Sequence, residues 1–279
     1  MRDSELKALI SLLEDEDPEV KGHVHGRLIS LGHEVIPTLE SVWEGEENLV
    51  VQAAIEEIIY LIQSENAIER LRAWMREDHP QLLDGWAIFT SFQYPELEID
   101  QFKSHIARLV NRTWLELRSG MSMTEKIMML NRMLFIRERF RANRKNLSDP
   151  QNFFLNGLIE TKKGAPISLG ILYLILCKEL EIPVHGIILP GYFVLLHRNE
   201  KEEIFIDVFN KGSLFVREEL TRFLKEMNVA EEEKYYQPSS NQHIIIELIR
   251  ALMLSFRQRR QPEKVAEMEK LIDRLMEEE

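Results

Sequence analysis

The stretch Lys163-Gly164-Ala165-Pro166-Ile167-Ser168-Leu169-Gly170-Ile171-Leu172-Tyr173-Leu174-Ile175-Leu176-Cys177-Lys178-Glu179-Leu180-Glu181-Ile182-Pro183 decides the architecture. Pro166 stands where a helix begins, at a position whose missing N–H costs little. From Ile167 to Leu180 the chain is apolar nearly all round, which predicts a central, buried helix rather than an amphipathic surface one. Ile182-Pro183 ends it. Downstream, Val184–Ile188, Tyr192–Leu196 and Ile204–Val208 are β-branched and aromatic runs bounded by Pro190-Gly191 and by charged turns. They predict three antiparallel strands packed on the helix.

The surrounding composition agrees with a globular, largely helical chain. It has 279 residues, 44% hydrophobic and 29% charged, enough apolar mass for a sizeable core. Only 12 glycines are present, few for a loop-rich all-β fold or for several phosphate-cradling loops. Lys and Arg number 35 against 47 Asp and Glu, a net charge of −12, so nucleic acid would need a local basic patch. The single cysteine, Cys177, excludes an internal disulfide framework and a multi-cysteine zinc site. No apolar run approaches the ~18 residues of a membrane span, and the N-terminus lacks the apolar stretch of a signal peptide. A cytoplasmic setting without membrane contact is the expectation. Phosphate-loop and dinucleotide motifs are absent, and no cofactor is expected.

Residues 1–90 read as consecutive helices. Leu6, Leu9, Ile10 and Leu13 share one helical face, with Asp3 or Ser4 as the cap. Asp17-Pro18-Glu19 starts a second helix, Gly32 ends it, and a third runs from about His33 to Trp43. The run Leu12–Val20 followed by Leu31–Leu39 resembles a HEAT repeat, and Asn48–Ile62 with Ala67–Met75 looks like a second, degenerate copy of two helices. Two repeats are too few for an independent solenoid, so the region is expected to dock on the rest and either cap it or bind a protein. His23, His25 and His33 do not have the spacing of a shared metal site.

Next come a helix over Leu82–Phe92, and one over Asp100–Leu117 with Phe102, Ile106, Leu109, Val110 and Trp114 on one stripe. A further helix is marked by Met123, Ile127, Leu130 and Leu134 and capped by Ser122 or Thr124. Arg132, Arg137, Arg139, Arg141, Arg144 and Lys145 form a local basic cluster, with Phe135 and Phe140 interleaved. It is either a solvated, ion-paired surface or an anion or RNA patch. Ile244–Phe256 and Pro262–Met276 predict a C-terminal helical hairpin, entered through Gln237-Pro238-Ser239-Ser240.

Six blocks in order carry a family resemblance: Asn131–Phe135, Arg139–Asn143, Asp149–Asn156, Lys163–Leu169, Leu189–Phe193 and Ile206–Gly212. Their order and spacing resemble the SirB-type, transglutaminase-like superfamily proteins, whose core also occurs in an F-box protein. The resemblance covers roughly residues 95–225, and the C-terminal hairpin resembles the TPR-like one that follows that core. The implied fold is α+β, mainly α. Its parts are a HEAT-like region over 1–90, a transglutaminase-like (papain-like) core with a small antiparallel sheet over 91–236, and a helical hairpin over 237–279.

The resemblance also implies a Cys-His-Asp relay. The thiol sits at the start of the central helix, where the dipole lowers its pKa, the His on a following strand, and the Asp on the next. The nucleophile position falls between Pro166 and Ser168 and holds no cysteine. Cys177, about 15 Å of helix downstream, reads as a buried core thiol. The His position holds Tyr192, and the Asp position holds Asp207. Ser168 could substitute as nucleophile only with a base such as His185, since His197 lies an odd offset from Tyr192 on the opposite strand face. Tyr192 and Asp207 could instead form a hydrogen-bonded pair. Three readings follow. The first is a non-catalytic interaction or regulatory protein with a protein partner. The second is a hydrolase or acyl transferase with an unconventional site at Ser168, Tyr192 and Asp207. The third is anion or RNA binding through Arg132–Lys145.

Overall fold

The computed structural model describes residues 3–14 and 17–277, without the side chains of Asp3, Ser4, Glu5 and Lys7. The expected caps Asp3 and Ser4, and the terminal Glu278 and Glu279, therefore lie outside the described side chains. The chain is mainly helical with a small mixed complement of strands, the expected α+β class.

Helices α1 (Asp3–Ser11), α2 (Pro18–Ser30), α3 (Ile36–Gly45) and α4 (Leu49–Met75) open the fold. Asp17 caps α2 by accepting from the Glu19 N–H, and Gly32 leaves it at φ +70°. Leu13, Leu28, Leu39, Ile55 and Ile58 belong to a core that this region builds for itself. The structure corrects the second repeat. Asn48–Ile62 and Ala67–Met75 are not two helices but one of 27 residues. The polar run Gln63-Ser64-Glu65-Asn66 contains neither Gly nor Pro, so nothing stops helix propagation. The far half of α4 leaves the N-terminal core and contributes Ala67, Leu71 and Trp74 to the main one.

The main core gathers α5 (Leu82–Gln93), α6 (Ile99–Trp114), α7 (Met123–Asn131), α8 (Leu155–Thr161) and α9 (Pro166–Glu179). Helix α9 is buried on every side from Ile167 to Cys177, as its all-round apolar sequence requires. Ser122 and Glu125 close a capping box on α7, whose end passes into a π-helical turn at Arg132–Arg137. Helix α6 also differs from expectation. It stops at Trp114, and Trp114 is 65% exposed. At about 100° per residue, Thr113 continues the Ile106–Leu109 stripe, while Trp114 lies about 80° off it. Thr113 is accordingly buried, its hydroxyl donating to the Leu109 carbonyl at 2.9 Å.

Strands β1 (Arg141–Ala142) and β2 (Lys163–Gly164) form a short parallel pair. The antiparallel sheet runs β3 (His185–Leu189), β4 (Tyr192–Arg198), β5 (Glu203–Asp207), β6 (Ser213–Phe215) in that order. It has four strands rather than three, because the three-residue β6 is too short to stand out in sequence. Phe193, Leu195 and Ile206 face α9. Val194, Leu196 and Phe205 face a separate cluster with Leu220 and Leu224 of α10 (Arg217–Glu226) and with Tyr236. Helices α11 (Asn241–Gln258) and α12 (Pro262–Met276) form the expected hairpin. Ser240 caps α11, and α12 reaches back to α4, where Arg274 pairs with Glu65 at 2.7 Å. Among the described residues no helix is long and apolar enough to cross a membrane.

Candidate functional site

The first turn of α9 is set by the loop before it. Asn152 is buried, donates to the Asn146 and Leu147 carbonyls at 2.8 and 3.2 Å, and accepts from the Asn143 amide at 2.9 Å. Its own carbonyl receives the Ala165 N–H at 2.9 Å, one residue before Pro166. Opposite this helix start, the Pro190-Gly191 turn, with Gly191 at φ +70°, delivers Tyr192 at the head of β4.

Tyr192 meets Asp207 as the hydrogen-bonded alternative anticipated, its hydroxyl lying 3.0 and 3.1 Å from the two carboxylate oxygens. Asp207 is engaged on every side. It caps the turn Val208–Asn210 by accepting the Phe209 and Asn210 N–H groups at 2.9 and 3.2 Å, and it takes the Asn210 side-chain amide at 2.6 Å. Arg144 holds that turn from outside, donating to the Phe209 carbonyl at 3.2 Å and to Asn210 Oδ1 at 2.6 Å, with its guanidinium 4.2 Å from the Phe209 ring centre. A carboxylate holding this many donors is committed as a cap and cannot orient a base without giving some of them up. Arg144 and Asn210 lay within the quoted sequence blocks, but nothing in their spacing announced this pairing.

Burial and the Asp207 charge push the Tyr192 phenol well above the ordinary tyrosine range. The folded state therefore keeps the proton that an unfolded tyrosine releases near pH ~10. This stabilisation is complete below that pH and is lost as pH rises above it. Tyr192→Phe is expected to lower stability by about 1–2 kcal/mol, because Asp207 retains its other donors. An ultraviolet titration difference between the native protein and the variant should stay flat through pH ~10. A one-tyrosine step there would contradict the Tyr192–Asp207 pair.

Ser168 is wholly buried, and its hydroxyl has no hydrogen-bond partner. The suggested Ser168–His185 pair does not form. His185 lies beside the last turn of α9, lining a cavity of about 530 Å³ with Lys178 and Glu179. Ser168 is in the first turn, roughly 15 Å of helix away. His197 is also buried on the α9 side of the sheet, opposite Tyr192, and its Nδ1 is 2.8 Å from the Pro183 carbonyl. Cys177 is buried, and burial pushes its thiol well up. Among the described residues no cluster of His, Cys, Asp and Glu could hold a metal.

A groove of about 390 Å³ opens beside the α9 start. Ala165, Pro166 and Ile167 form its helix side, Tyr192 and Phe209 its sheet side, and Leu254 of α11 its far wall. The helix residues facing it carry no nucleophile. Sequence reasoning missed the Leu254 wall, because only tertiary packing brings α11 to this place. Within the basic cluster Arg137 forms an ion pair and Arg144 is held at the Phe209–Asn210 turn. Arg137 binds Glu116 at 2.6 Å, and Glu138 binds Arg112 at 2.8 Å. Phe135 and Phe140 are core residues, so neither ring offers a stacking platform.

Residues 100–250 match the family model of the transglutaminase-like superfamily, and residues 6–90 match that of HEAT repeats. A UPF0162 protein of Xylella fastidiosa is 28% identical over 128 residues, 46% of this chain and 46% of that one. A UPF0162 protein of Vibrio cholerae is 27% identical over 134 residues, 48% of this chain and 50% of that one. F-box only protein 21 of Mus musculus is 23% identical over 201 residues, 61% of this chain and 32% of that one. The chain spans about half the length, or less, of the curated relatives it matches. No solved structure matches it significantly.

Proposed function

The chain belongs to the transglutaminase-like superfamily, and on that premise we propose that it is a non-catalytic interaction or regulatory protein, a pseudoenzyme of the SirB type. In this reading the units are the HEAT-like region 1–90, the core 91–236 and a TPR-like hairpin 237–279. The helical repeats supply the surface for a protein partner, and the core serves as scaffold. One observation carries the reading: the helix start where a relay thiol would stand offers the groove only Ala165, Pro166 and Ile167. Two others support it. Asp207 is spent on capping and on Tyr192, and the lone thiol is sealed inside α9. The single buried cysteine also fits a reducing, cytoplasmic setting.

The test is native acylation and alkylation followed by peptide mapping. With p-nitrophenyl acetate and iodoacetamide, neither Ser168 nor Cys177 should be modified in the folded chain, and Cys177 should label fully once the chain is unfolded in denaturant. A near-stoichiometric native adduct on either residue would overturn the non-catalytic reading in favour of the hydrolase or acyl-transferase one.

A further inference from the structure

The net charge of the chain is confined to one third of it. Residues 1–90 hold seven Lys and Arg against nineteen Asp and Glu, a net −12, while residues 91–279 hold twenty-eight of each. The same third also exposes large apolar side chains, two of them at one helix start. Leu49 is 77% exposed and Val50 62%, both in the first turn of α4, and Trp43 of α3 and Leu12 lie partly open as well. A groove of about 360 Å³ adjoins this helix start; among the described residues it is lined by Ile10, Ser11, Glu14, Val42, Glu46 and Val51, none of them basic.

The start of α4 is tied down by side-chain hydrogen bonds. The Gln52 amide donates to the Trp43 and Glu46 carbonyls at 3.2 and 2.9 Å. Asn48 caps α4 by accepting the Val50 N–H at 3.0 Å, and the Trp43 indole donates to Glu56 at 2.9 Å. Leu49 and Val50 are therefore presented from a capped helix start rather than from a loose loop. Among the described residues no ion pair engages Glu14, Glu44, Glu46 or Glu47. Exposed apolar groups beside carboxylates without ion pairs, one of which, Glu46, accepts among the described residues only the Asn48 N–H at 2.8 Å, form a surface complementary to an amphipathic cation.

We propose that the groove between α1, α3 and the start of α4 receives a cationic amphipathic segment of a partner protein. Its apolar side lies over Val42 and Val51 of the lining, with the exposed Leu49 and Val50 beside the groove in the first turn of α4, and its Lys or Arg side chains meet Glu14 and Glu46 of the lining and their sequence neighbours Glu44 and Glu47. The charge balance selects this occupant. A neutral apolar helix would leave the carboxylates desolvated and unpaired, and an acidic one would be repelled.

This inference rests on the reading of the chain as an interaction protein, but its readout is separate. The experiment measures fluorescence anisotropy of the full chain with three labelled eighteen-residue peptides: an amphipathic Leu/Lys helix, its Leu/Glu counterpart, and a Leu/Lys peptide of identical composition without amphipathic order. Only the first should bind well, with affinity falling steeply as salt rises. Leu49→Ser with Val50→Ser should weaken it about tenfold or more, with an unchanged melting temperature. Glu44→Gln with Glu46→Gln and Glu47→Gln should weaken it comparably and flatten the salt dependence. Equal binding of the two Leu/Lys peptides, or binding indifferent to both sets of substitutions, would overturn the groove and leave the interaction reading standing. A concentration-dependent dimer in light scattering, abolished by the same substitutions, would overturn it by assigning this surface to a second copy. A native adduct on Ser168 or Cys177 would instead overturn the non-catalytic reading without touching the groove.

Discussion

Replacing Trp86 with alanine is expected to cost about 3–5 kcal/mol of unfolding free energy. The side chain is wholly buried in α5, and its indole N–H donates to the Phe153 carbonyl at 2.9 Å. Phe153 belongs to the short turn that also contains Asn152, so the bond ties α5 to the segment placing the α9 start. Truncation removes a large apolar body from a packed interior and strands the Phe153 carbonyl without its donor. Denaturant unfolding, followed by far-ultraviolet circular dichroism, measures the change. The exposed Trp114 is the control, and its replacement by alanine should move stability by less than ~0.5 kcal/mol. A Trp86→Ala loss no larger than that of Trp114→Ala would contradict the assignment of Trp86 to the centre of the core.

Gly170→Ala is expected to destabilise by about 2 kcal/mol, against the ordinary gain of ~1 kcal/mol for Gly to Ala within a helix. A Cβ at Gly170 would stand 2.3 Å from Cε1 and 2.6 Å from Cδ1 of Phe193. The same ring lies against the backbone of Gly186, where a Cβ would stand 2.8 Å from its Cζ, which leaves it little space to retreat on that side. Phe193 follows Tyr192 in β4, so this close approach sets the distance between central helix and site strand. The check is a double-mutant cycle with Phe193→Leu, which should cost less in the Gly170→Ala background than alone. Strict additivity would show that the two residues do not meet.

The central helix and the strand order were legible because both depend on local pattern. Apolar residues all round α9 leave it nowhere to sit but the interior, and alternating strands after Pro-Gly can only return antiparallel. The split of α4 and the burial of Trp114 were misread for opposite reasons. In α4 a polar run resembled a break, although only Gly or Pro would have made one. In α6 an apolar residue resembled core, although its angular position places it off the packed face. The candidate site was legible as residue positions, with Ser168, Tyr192 and Asp207 in their blocks, but their surroundings were not. Whether Ser168 is open or sealed depends on side chains distant in sequence, and so does the commitment of Asp207 to Asn210, Phe209 and Tyr192.

By itself, then, the sequence determined the class of fold, the buried helix and the absence of a thiol at its start, since each rests on residue type and short-range periodicity. The tertiary structure alone decided the separation of His185 from Ser168 along α9, the closing of the groove by Leu254, and the presentation of Leu49 and Val50 at a capped helix start beside carboxylates that form no ion pair among the described residues. Those depend on how segments far apart in the chain fill one interior, and packing across such separations leaves no local pattern to read.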